Sequence, residues 1–395
     1  MRKYVRSYDV IIIGGGIAAC ATAITMKNMM PTLKVLVIEQ KTRKELSDHH
    51  PFTIGETLSP HAANMLKQMG IWENFVAEDF KKSYGTSAAW GSGKANHNEF
   101  IYTPFGFGWH LERAAFHRIM IAEARKRRVQ FLFETRPDRF EERDVHWRVF
   151  ANRNGKPTEL SGKFIVDASG KNAVFAAGQG ARKQVLDQLV GVYRYYELNS
   201  EEKQHVEGTY IESDKNGWWY SVLLSDELLV IAYMTDQDIA IDQGLEDPRI
   251  FDTLLKNTGY TQTRTEATLA LGPPTVVATH SQKLDRVVGE KWLTIGEAAM
   301  CYDPLSSLGI YKGLSTNLYA AHAIMAYLQD DKSGLQKYEV LLQEERKNYE
   351  EKYLAHYGRE KRFRNYPFWR RRVSGITVPM SSDDRASFGN IERTS

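Results

Sequence analysis

The first glycine cluster of the chain has the residue types and spacing to hold phosphate groups. The run YDVIIIGGG is short, β-branched and apolar, and it predicts a buried parallel strand that ends at glycines. A G-x-G-x-x-G pattern falls on Gly14 and Gly16, with Ala19 where the third glycine is expected. Gly14 permits a sharp turn, and Gly16 lets the backbone approach a pyrophosphate closely. A helix opening at Ile17 and Ala18 would direct its N–H groups and the positive end of its dipole at the phosphates.

A carboxylate follows at the end of the next predicted strand. The run KVLVIEQ ends close to Glu39, 25 residues after Gly14. In this position the carboxylate is placed to accept hydrogen bonds from ribose hydroxyls. Strand, glycines, helix, strand and acid in this order predict a dinucleotide site. A glycine-rich turn that binds no nucleotide is the alternative.

The composition describes the scaffold that must position these groups. The 395 residues are 42% hydrophobic and 26% charged, as in ordinary globular proteins with room for two or three structural units. The net charge of +3 is too small to indicate a nucleic-acid partner, and two cysteines, Cys20 and Cys301, exclude a disulfide framework. The basic start and apolar run resemble a secretory signal, but Asp9 and the glycines interrupt it. We therefore expect a cytoplasmic protein without a membrane span.

Two later segments identify the nucleotide by resemblance. GKFIVDASGK is a predicted strand ending at Asp167 and Ala168, and a similar small-residue ending runs near the cofactor in flavoproteins with two dinucleotide folds. KWLTIGEAAMCYDPLSSLGIYKGL places Gly296 and Glu297 after another strand. This segment resembles the late flavin-contacting motif, usually Gly-Asp, of the aromatic hydroxylase and halogenase superfamily. The resemblance implies that the cofactor is FAD.

The same resemblance implies the contacts of the flavin. Glu297, one methylene longer than the usual Asp, would bind the ribityl chain, and the following loop would lie against the isoalloxazine ring. TIGETLSP resembles the superfamily's Gly-Glu element, and GWHLERAAFHRIM resembles its loop-to-helix segment. The cofactor contacts implied in these three segments are Gly55, Glu56, Arg113, Gly296, Glu297, Pro304, Ser307, Gly309 and Ile310.

The remainder of the chain resembles one branch of this superfamily. SYGTSAAWGS, NGWWYSVLLSDELLVIAYMTD and YPFWRRR are similar to the flavoproteins that mature cysteine-tryptophylquinone amine and amino-acid oxidases. This resemblance implies an FAD-dependent monooxygenase that hydroxylates a tryptophan side chain in the precursor of such an oxidase. Its co-reactants would be molecular oxygen and a reducing partner, either a flavin reductase or NAD(P)H. Lys82, Trp218 and Tyr220 are the expected catalytic residues.

Other functions compete with this interpretation. Flavin-dependent halogenases carry a lysine eight residues before a tryptophan, as Lys82 and Trp90 do here, but the second tryptophan and the proline of W-x-W-x-I-P are missing after Trp218. A small-aromatic hydroxylase, a geranylgeranyl-type reductase and a non-catalytic flavin-binding chaperone of the partner oxidase are further alternatives. The histidines lack metal-ligand spacing, so we expect no metal.

The predicted fold class is α/β (α+β), a two-dinucleotide-binding-domain flavoprotein of the aromatic hydroxylase type. Residues 1–185 form the main part of a Rossmann-like FAD domain, with an excursion into the substrate domain near 83–107. Alternating apolar and polar residues predict an antiparallel β-sheet substrate domain over 186–285. Residues 286–330 return to the FAD domain, and 331–395 form a helical, basic and aromatic C-terminal tail. Its arginines and tryptophan suit either an interface or a solvated helix.

Overall fold

The computed structural model describes residues 6–47, 56–100, 103, 106–198, 208–225, 227–266, 268–307 and 309–373. Within these residues the strands are β1 (Arg6–Ile13), β2 (Val35–Ile38), β3 (Glu56–Leu58), β4 (Lys82–Ser83), β5 (Gly85–Ala89), β6 (Asn96–Glu99), β7 (Gly108–Leu111), β8 (Gln130–Leu132), β9 (Thr135–Glu142), β10 (Trp147–Arg153), β11 (Lys156–Asp167), β12 (Lys183–Val185), β13 (Leu189–Leu198), β14 (Thr209–Asp214), β15 (Gly217–Ser225), β16 (Leu228–Asp236), β17 (Thr268–Ala278), β18 (Gln282–Leu284), β19 (Val288–Gly289), β20 (Trp292–Thr294) and β21 (Met300–Cys301). The α-helices are α1 (Ile17–Met29), α2 (Arg43–Ser47), α3 (Ala62–Gln68), α4 (Trp72–Ala77), α5 (Arg113–Lys126), α6 (Val174–Gly178), α7 (Gln237–Gln243), α8 (Pro248–Lys256), α9 (Gly309–Tyr327), α10 (Ser333–Tyr357) and α11 (Pro367–Val373).

A mostly parallel sheet holds the N-terminal glycine cluster. Its order is β19-β20-β11-β1-β2-β8, and β10 and β9 extend it through the long strand β11. The apolar run of β1 is covered on both faces, as expected for a central parallel strand. Strands β1, β2, β11 and β20 are parallel neighbours, so their carboxyl ends meet at one edge of the sheet.

A second, largely antiparallel sheet has the order β17-β13-β16-β15-β14-β5-β6. Alternate residues of β15 face opposite sides: Trp219 packs with Phe251 of α8, whereas Trp218 lies in the cluster that contains Phe368 and Trp369 of α11. Strand β5 is parallel to β14, so residues 85–99 join a sheet that is otherwise built from residues 189–278.

A small third sheet has the order β3-β7-β4. Trp109 and Leu111 of β7 pack into the core of the FAD-side sheet, whereas Thr57 of β3 contacts Thr209 of β14, with 3.2 Å between their hydroxyl oxygens. The small sheet therefore connects the two large ones.

The C-terminal helices close the structure. Helix α10 packs along α9, and α11 packs on α10. Phe368 and Trp369 are fully buried against the antiparallel sheet. These two residues of the basic and aromatic run therefore belong to the hydrophobic core, and not to a solvated helix or an exposed interface. In the described part of the chain, no helix has the length and apolar character needed to cross a bilayer.

Candidate functional site

The glycine turn lies at the carboxyl edge of the parallel sheet, between β1 and α1. Gly14 donates its N–H to the carbonyl of Ile38 at 2.8 Å and has a φ of +97°. A Cβ on Gly14 would lie 2.4 Å from the carbonyl oxygen of Ala168, so both the turn and the close approach require glycine. Gly16, at φ −66°, has no atom within 4 Å of the position its Cβ would take. Open space therefore adjoins the start of α1.

Glu39 fixes the other side of this turn. Its carboxylate accepts hydrogen bonds from the backbone N–H of Gly15 at 2.6 Å and of Lys41 at 2.8 Å. The side chain is only 8% exposed, so these two donors hold it at the carboxyl end of β2. This is the location expected for a ribose-binding acid.

His117 is a contact of the glycine turn that sequence reasoning missed. Its Nε2 lies 2.7 Å from the carbonyl oxygen of Gly15, to which it donates a hydrogen bond. Burial lowers the pKa of His117, and the hydrogen bond to Gly15 opposes this effect without cancelling it. The sequence held one signal for this contact: His117 follows Arg113 by about one helical turn on α5, so the two side chains lie on the same face of the helix.

We expect His117→Gln to weaken FAD binding about threefold to tenfold, because one hydrogen bond that positions the turn is lost or displaced. The measurement is fluorescence titration of the apoprotein with FAD. His322→Gln is the control, since His322 is exposed on α9. Equal affinities for wild type and His117→Gln would show that the contact does not position the turn.

Three segments converge beside the glycine turn. Ala168 donates its N–H to the carbonyl of Ile13 at 2.8 Å, which joins β11 to β1. A Cβ on Gly296, where φ is +58°, would lie 2.9 Å from the Cβ of Ala18. A Cβ on Gly170 would lie 3.9 Å from a carboxylate oxygen of Glu297. The predicted cofactor segments are thus neighbours in space, and Ala18, Ala168 and Gly296 are each partly exposed.

Asp167 differs from this group because its carboxylate is fully buried. It accepts hydrogen bonds from the N–H and hydroxyl of Ser169, at 3.0 and 2.6 Å, and from the N–H of Ala176 at 2.8 Å. Burial raises its pKa, although these three donors act in the opposite direction. The carboxylate organises its own loop, and the cofactor contact predicted for it stays a prediction.

The loop before α9 follows the Gly296-Glu297 pair. Asp303 caps a single 3-10 turn, Pro304–Ser306, and Ser307 then takes a left-handed conformation with φ +48°. Helix α9 begins at Gly309. Ser307 and Gly309 are exposed, whereas Pro304 and Ile310 are half-buried. We call residues 304–310, except Leu308, the helix-entry loop, a segment that includes the first two residues of α9.

The Gly-Glu element and the segment around Arg113 are described in part. Gly55 lies outside the described residues, and Glu56 begins β3, where its backbone pairs with Leu111. Arg113 is the first residue of α5 and is exposed. Lys82 is exposed on β4, with its Nζ 4.8 Å from the centroid of the Phe107 ring.

The two predicted catalytic aromatics lie in the antiparallel sheet. Trp218 is fully buried, and its Nε1–H donates to the hydroxyl of Tyr357 at 3.2 Å. Trp90 packs edge-on against Trp218 with 6.3 Å between ring centroids. Tyr220 follows on the same face and is 8% exposed. As placed, Trp218 is a core residue, and its contact with a substrate remains a prediction.

The residues at the carboxyl edge fit FAD. The open space beside Gly16 adjoins the first turn of α1, where N–H groups lack partners within the helix. A buried acid, Glu39, stands at the end of β2, where a ribose-binding acid is expected, and Gly14 and Gly296 permit close approach of the backbone. Anionic and hydroxyl groups of a dinucleotide match this set of donors and acceptors.

A family model described as an FAD binding domain matches residues 7–354. The chain belongs to the FAD binding domain family. FAD is its cofactor, and the protein is an FAD-dependent oxidoreductase. The predicted cofactor and enzyme class are therefore confirmed.

Individual proteins similar to this FAD-binding protein extend the comparison. The putative FAD-dependent oxidoreductase LodB of Marinomonas mediterranea (strain ATCC 700492) is 28% identical over 372 residues, covering 93% of this chain and 97% of LodB. The crystal structure of CmlS, a flavin-dependent halogenase, has a TM-score of 0.82 at 20% identity, over 98% of this chain and 70% of that one. The peptidyl tryptophan dihydroxylase QhpG, essential for tryptophylquinone cofactor biogenesis, has a TM-score of 0.70 at 19% identity, over 93% of this chain and 78% of that one. The structural likeness confirms the predicted fold class.

The FAD-binding protein has no group of three or more His, Cys, Asp or Glu side chains arranged to hold a metal ion among its described residues. Cys20 and Cys301 are both buried thiols, and burial raises the pKa of each. Neither is in a state suited to nucleophilic chemistry.

Proposed function

We propose that this protein is a monooxygenase that hydroxylates a tryptophan side chain within a partner polypeptide. The partner would be the precursor of an amine or amino-acid oxidase whose cofactor is cysteine tryptophylquinone. The observation that carries the proposal is the fold shared with QhpG, a peptidyl tryptophan dihydroxylase essential for tryptophylquinone cofactor biogenesis. The match to LodB, a putative FAD-dependent oxidoreductase, along almost the whole of both chains supports the enzyme class.

The carboxyl edge of the parallel sheet would hold the cofactor. Gly14, Gly16 and the start of α1 would receive the pyrophosphate, and Glu39 the ribose. Gly296 and the helix-entry loop would lie against the flavin ring. Asp167 acts in this proposal as a positioning residue, because its oxygens are already occupied by Ser169 and Ala176.

Reduced FAD supplies the oxygen chemistry when it is bound. The chain would exclude water from the reacting ring, orient the indole and hold it near the flavin edge. Lys82 lies beside Phe107 on the small sheet that connects the two large ones, and its ammonium group would hold a proton close to the reacting ring. Trp218 and Tyr220 would support the wall of the substrate site on the side opposite Lys82.

The experiment uses the FAD-loaded protein, a flavin reductase with NADH, and isotopically labelled oxygen. The probes are a synthetic peptide with one tryptophan, the same peptide with phenylalanine, and free tryptophan. Mass spectrometry should find labelled oxygen on the tryptophan peptide only. Oxidation of free tryptophan in preference to the peptide, or unlabelled product, would contradict the proposal.

Tryptophan halogenation is the second candidate, favoured by the spacing of Lys82 and Trp90 and by the halogenase name of the CmlS structure. The two functions differ in their requirement for halide. A product that needs chloride or bromide and carries that halogen would identify a halogenase. A product formed equally without halide would identify a hydroxylase.

Lys82→Ala should lower the rate of product formation about 100-fold, because a positioned acid or base contributes that order of acceleration. The control is Lys81→Ala, the neighbouring lysine just before β4. The rate is measured with the tryptophan peptide at saturating oxygen. If the two variants have the same rate, Lys82 has no catalytic role in either function.

A further inference from the structure

A buried carboxyl group lies directly behind the helix-entry loop. Asp303 is only 1% exposed, and its Oδ1 accepts a hydrogen bond from the N–H of Leu305 at 2.8 Å. This contact caps the turn that leads to Ser307 and α9. Asp303 is therefore the residue just before the loop proposed to face the flavin, and its buried carboxyl group points inward to the protein.

Helix α10 holds this carboxyl group from the other side. The hydroxyl of Tyr357 donates to Asp303 Oδ2 at 2.8 Å, and the hydroxyl oxygen of Tyr349 accepts from the backbone N–H of Asp303 at 2.8 Å. Tyr357 in turn accepts the hydrogen bond of Trp218. A continuous chain of hydrogen bonds thus joins the antiparallel sheet, helix α10 and the helix-entry loop.

The surrounding charges do not neutralise Asp303. The buried cation Arg372 acts on Asp303, but its guanidinium already pairs with both oxygens of Asp236, at 2.7 and 3.2 Å. Arg371 also bridges Asp236 and Asp238. A further carboxyl group, Asp187, acts electrostatically on Asp303 and accepts hydrogen bonds from the N–H groups of Leu189 and Ser281.

This arrangement raises the pKa of Asp303. Burial first, and then the negative charge of Asp187, raise the pKa of Asp303 to about 7, while Arg372, the N–H of Leu305 and the Tyr357 hydroxyl oppose the rise. Near neutral pH the group is therefore poised between its two charge states, so a new charge nearby can change its protonation.

We propose that Asp303 is the residue that takes up a proton when the bound FAD is reduced. The reducing partner, a dihydronicotinamide or a reduced flavin, delivers two electrons and one proton to the flavin ring. The negative charge that remains on the ring disfavours a second anion behind the helix-entry loop. One proton from solvent then joins the Asp303 carboxylate, and it returns to solvent when the flavin is reoxidised. The inference rests on the proposed placement of the flavin and is independent of the substrate.

The test is an anaerobic redox titration of the holoprotein as a function of pH. Above about pH 7, where the Asp303 carboxyl group is largely ionised in the oxidised protein, wild type should take up as much as one more proton per two electrons than Asp303→Asn, seen as a steeper slope of midpoint potential against pH. Asparagine keeps an acceptor for the N–H of Leu305 but carries no charge. Its potential should lie above that of wild type at the alkaline end and converge with it at the acidic end.

Two controls identify the site of the proton. Asp285→Asn removes an exposed carboxylate paired with Arg182 and should leave the slope of wild type unchanged. Asp187→Asn should retain the extra proton but move its uptake to lower pH. Equal slopes for wild type and Asp303→Asn, or loss of the extra proton only in Asp187→Asn, would overturn the proposal.

Tyr357→Phe tests the hydrogen bond to the carboxyl group. Losing the hydroxyl donor removes a contact that favours the ionised form, so the pH range of proton uptake should move upward. Tyr338→Phe is the matched control, because Tyr338 is a buried tyrosine of α10 that donates instead to the carbonyl of Thr294. Identical pH ranges for Tyr357→Phe and Tyr338→Phe would contradict the assigned role of Tyr357.

The apoprotein provides a readout that needs no FAD. The folded pKa of Asp303 lies above its unfolded value near 4, so the native state keeps a proton that the unfolded chain loses between about pH 4 and pH 7. The contribution of this group to the free energy of unfolding should therefore fall as pH rises through that range. The fall should be smaller in Asp303→Asn than in wild type, and an equal fall would show that Asp303 does not titrate there.

Discussion

Gly16→Val is expected to weaken FAD binding by at least about 100-fold, or about 2.7 kcal/mol, while the apoprotein remains folded. The backbone of Gly16 is extended, at φ −66° and ψ 179°, so valine can adopt it without strain. No protein atom lies within 4 Å of the new Cβ, so the side chain would fill only the space beside the start of α1. That space is where the pyrophosphate is proposed to lie. Isothermal titration with FAD and thermal unfolding of the apoprotein measure the two effects separately.

Gly14→Ala is the contrasting variant. Its φ of +97° and the 2.4 Å approach to the carbonyl oxygen of Ala168 make any side chain costly in the protein itself. The left-handed conformation alone costs about 1–2 kcal/mol in a residue other than glycine. We therefore expect Gly14→Ala to lower the stability of the apoprotein and Gly16→Val to leave it unchanged. If Gly16→Val kept the FAD affinity of wild type, the predicted dinucleotide site at the glycine turn would be refuted.

Trp369→Ala should lower the free energy of unfolding by about 3–5 kcal/mol, the cost of deleting a fully buried tryptophan. The ring is fully buried and lies 5.2 Å from the centroid of Trp90, and its Nε1–H donates to the carbonyl of Asp214 at 2.8 Å. The substitution leaves a cavity and removes one hydrogen bond to the carbonyl of Asp214. Denaturant unfolding of the holoprotein measures the change.

The matched control for Trp369→Ala is Tyr366→Ala. Tyr366 precedes the same helix and is 37% exposed, so its removal should cost much less. Equal and small effects of both substitutions would indicate that the C-terminal aromatic residues serve an interface and not the core. Equal and large effects would show that the whole segment is required for folding.

The parts of the site that the sequence could predict are local. The strand, turn and helix around Gly14 depend on neighbouring residues, and so do the turn before α9 and the alternation of β15. The interactions of Trp218 with Tyr357 join residues 139 positions apart, and no local pattern indicates them. The burial of Trp369 is likewise not indicated by any local pattern, because a run of arginine and tryptophan residues suits an exposed surface as well as a buried position with paired charges.

The pairing of the buried charges could not be predicted from the sequence either. Asp303 is one of many acidic residues, and it becomes distinctive only because Arg372 is already paired with Asp236 and Asp187 lies nearby. His117 is similar, since its contact with Gly15 depends on how α5 packs over the turn. These features follow from tertiary packing, which brings together residues that are distant in the chain.

The insertion of β5 and β6 into the antiparallel sheet has a consequence for how the molecule folds and moves. The chain leaves the FAD side after β4, contributes residues 85–99 to the other sheet and returns at β7. Residues 186–285 expressed alone would lack two of their strands, and the edge of β14 would be open to pairing with other chains. The FAD side and the antiparallel sheet should therefore fold together as one slow, cooperative unit rich in non-local contacts. No single hinge peptide separates these two parts of the molecule.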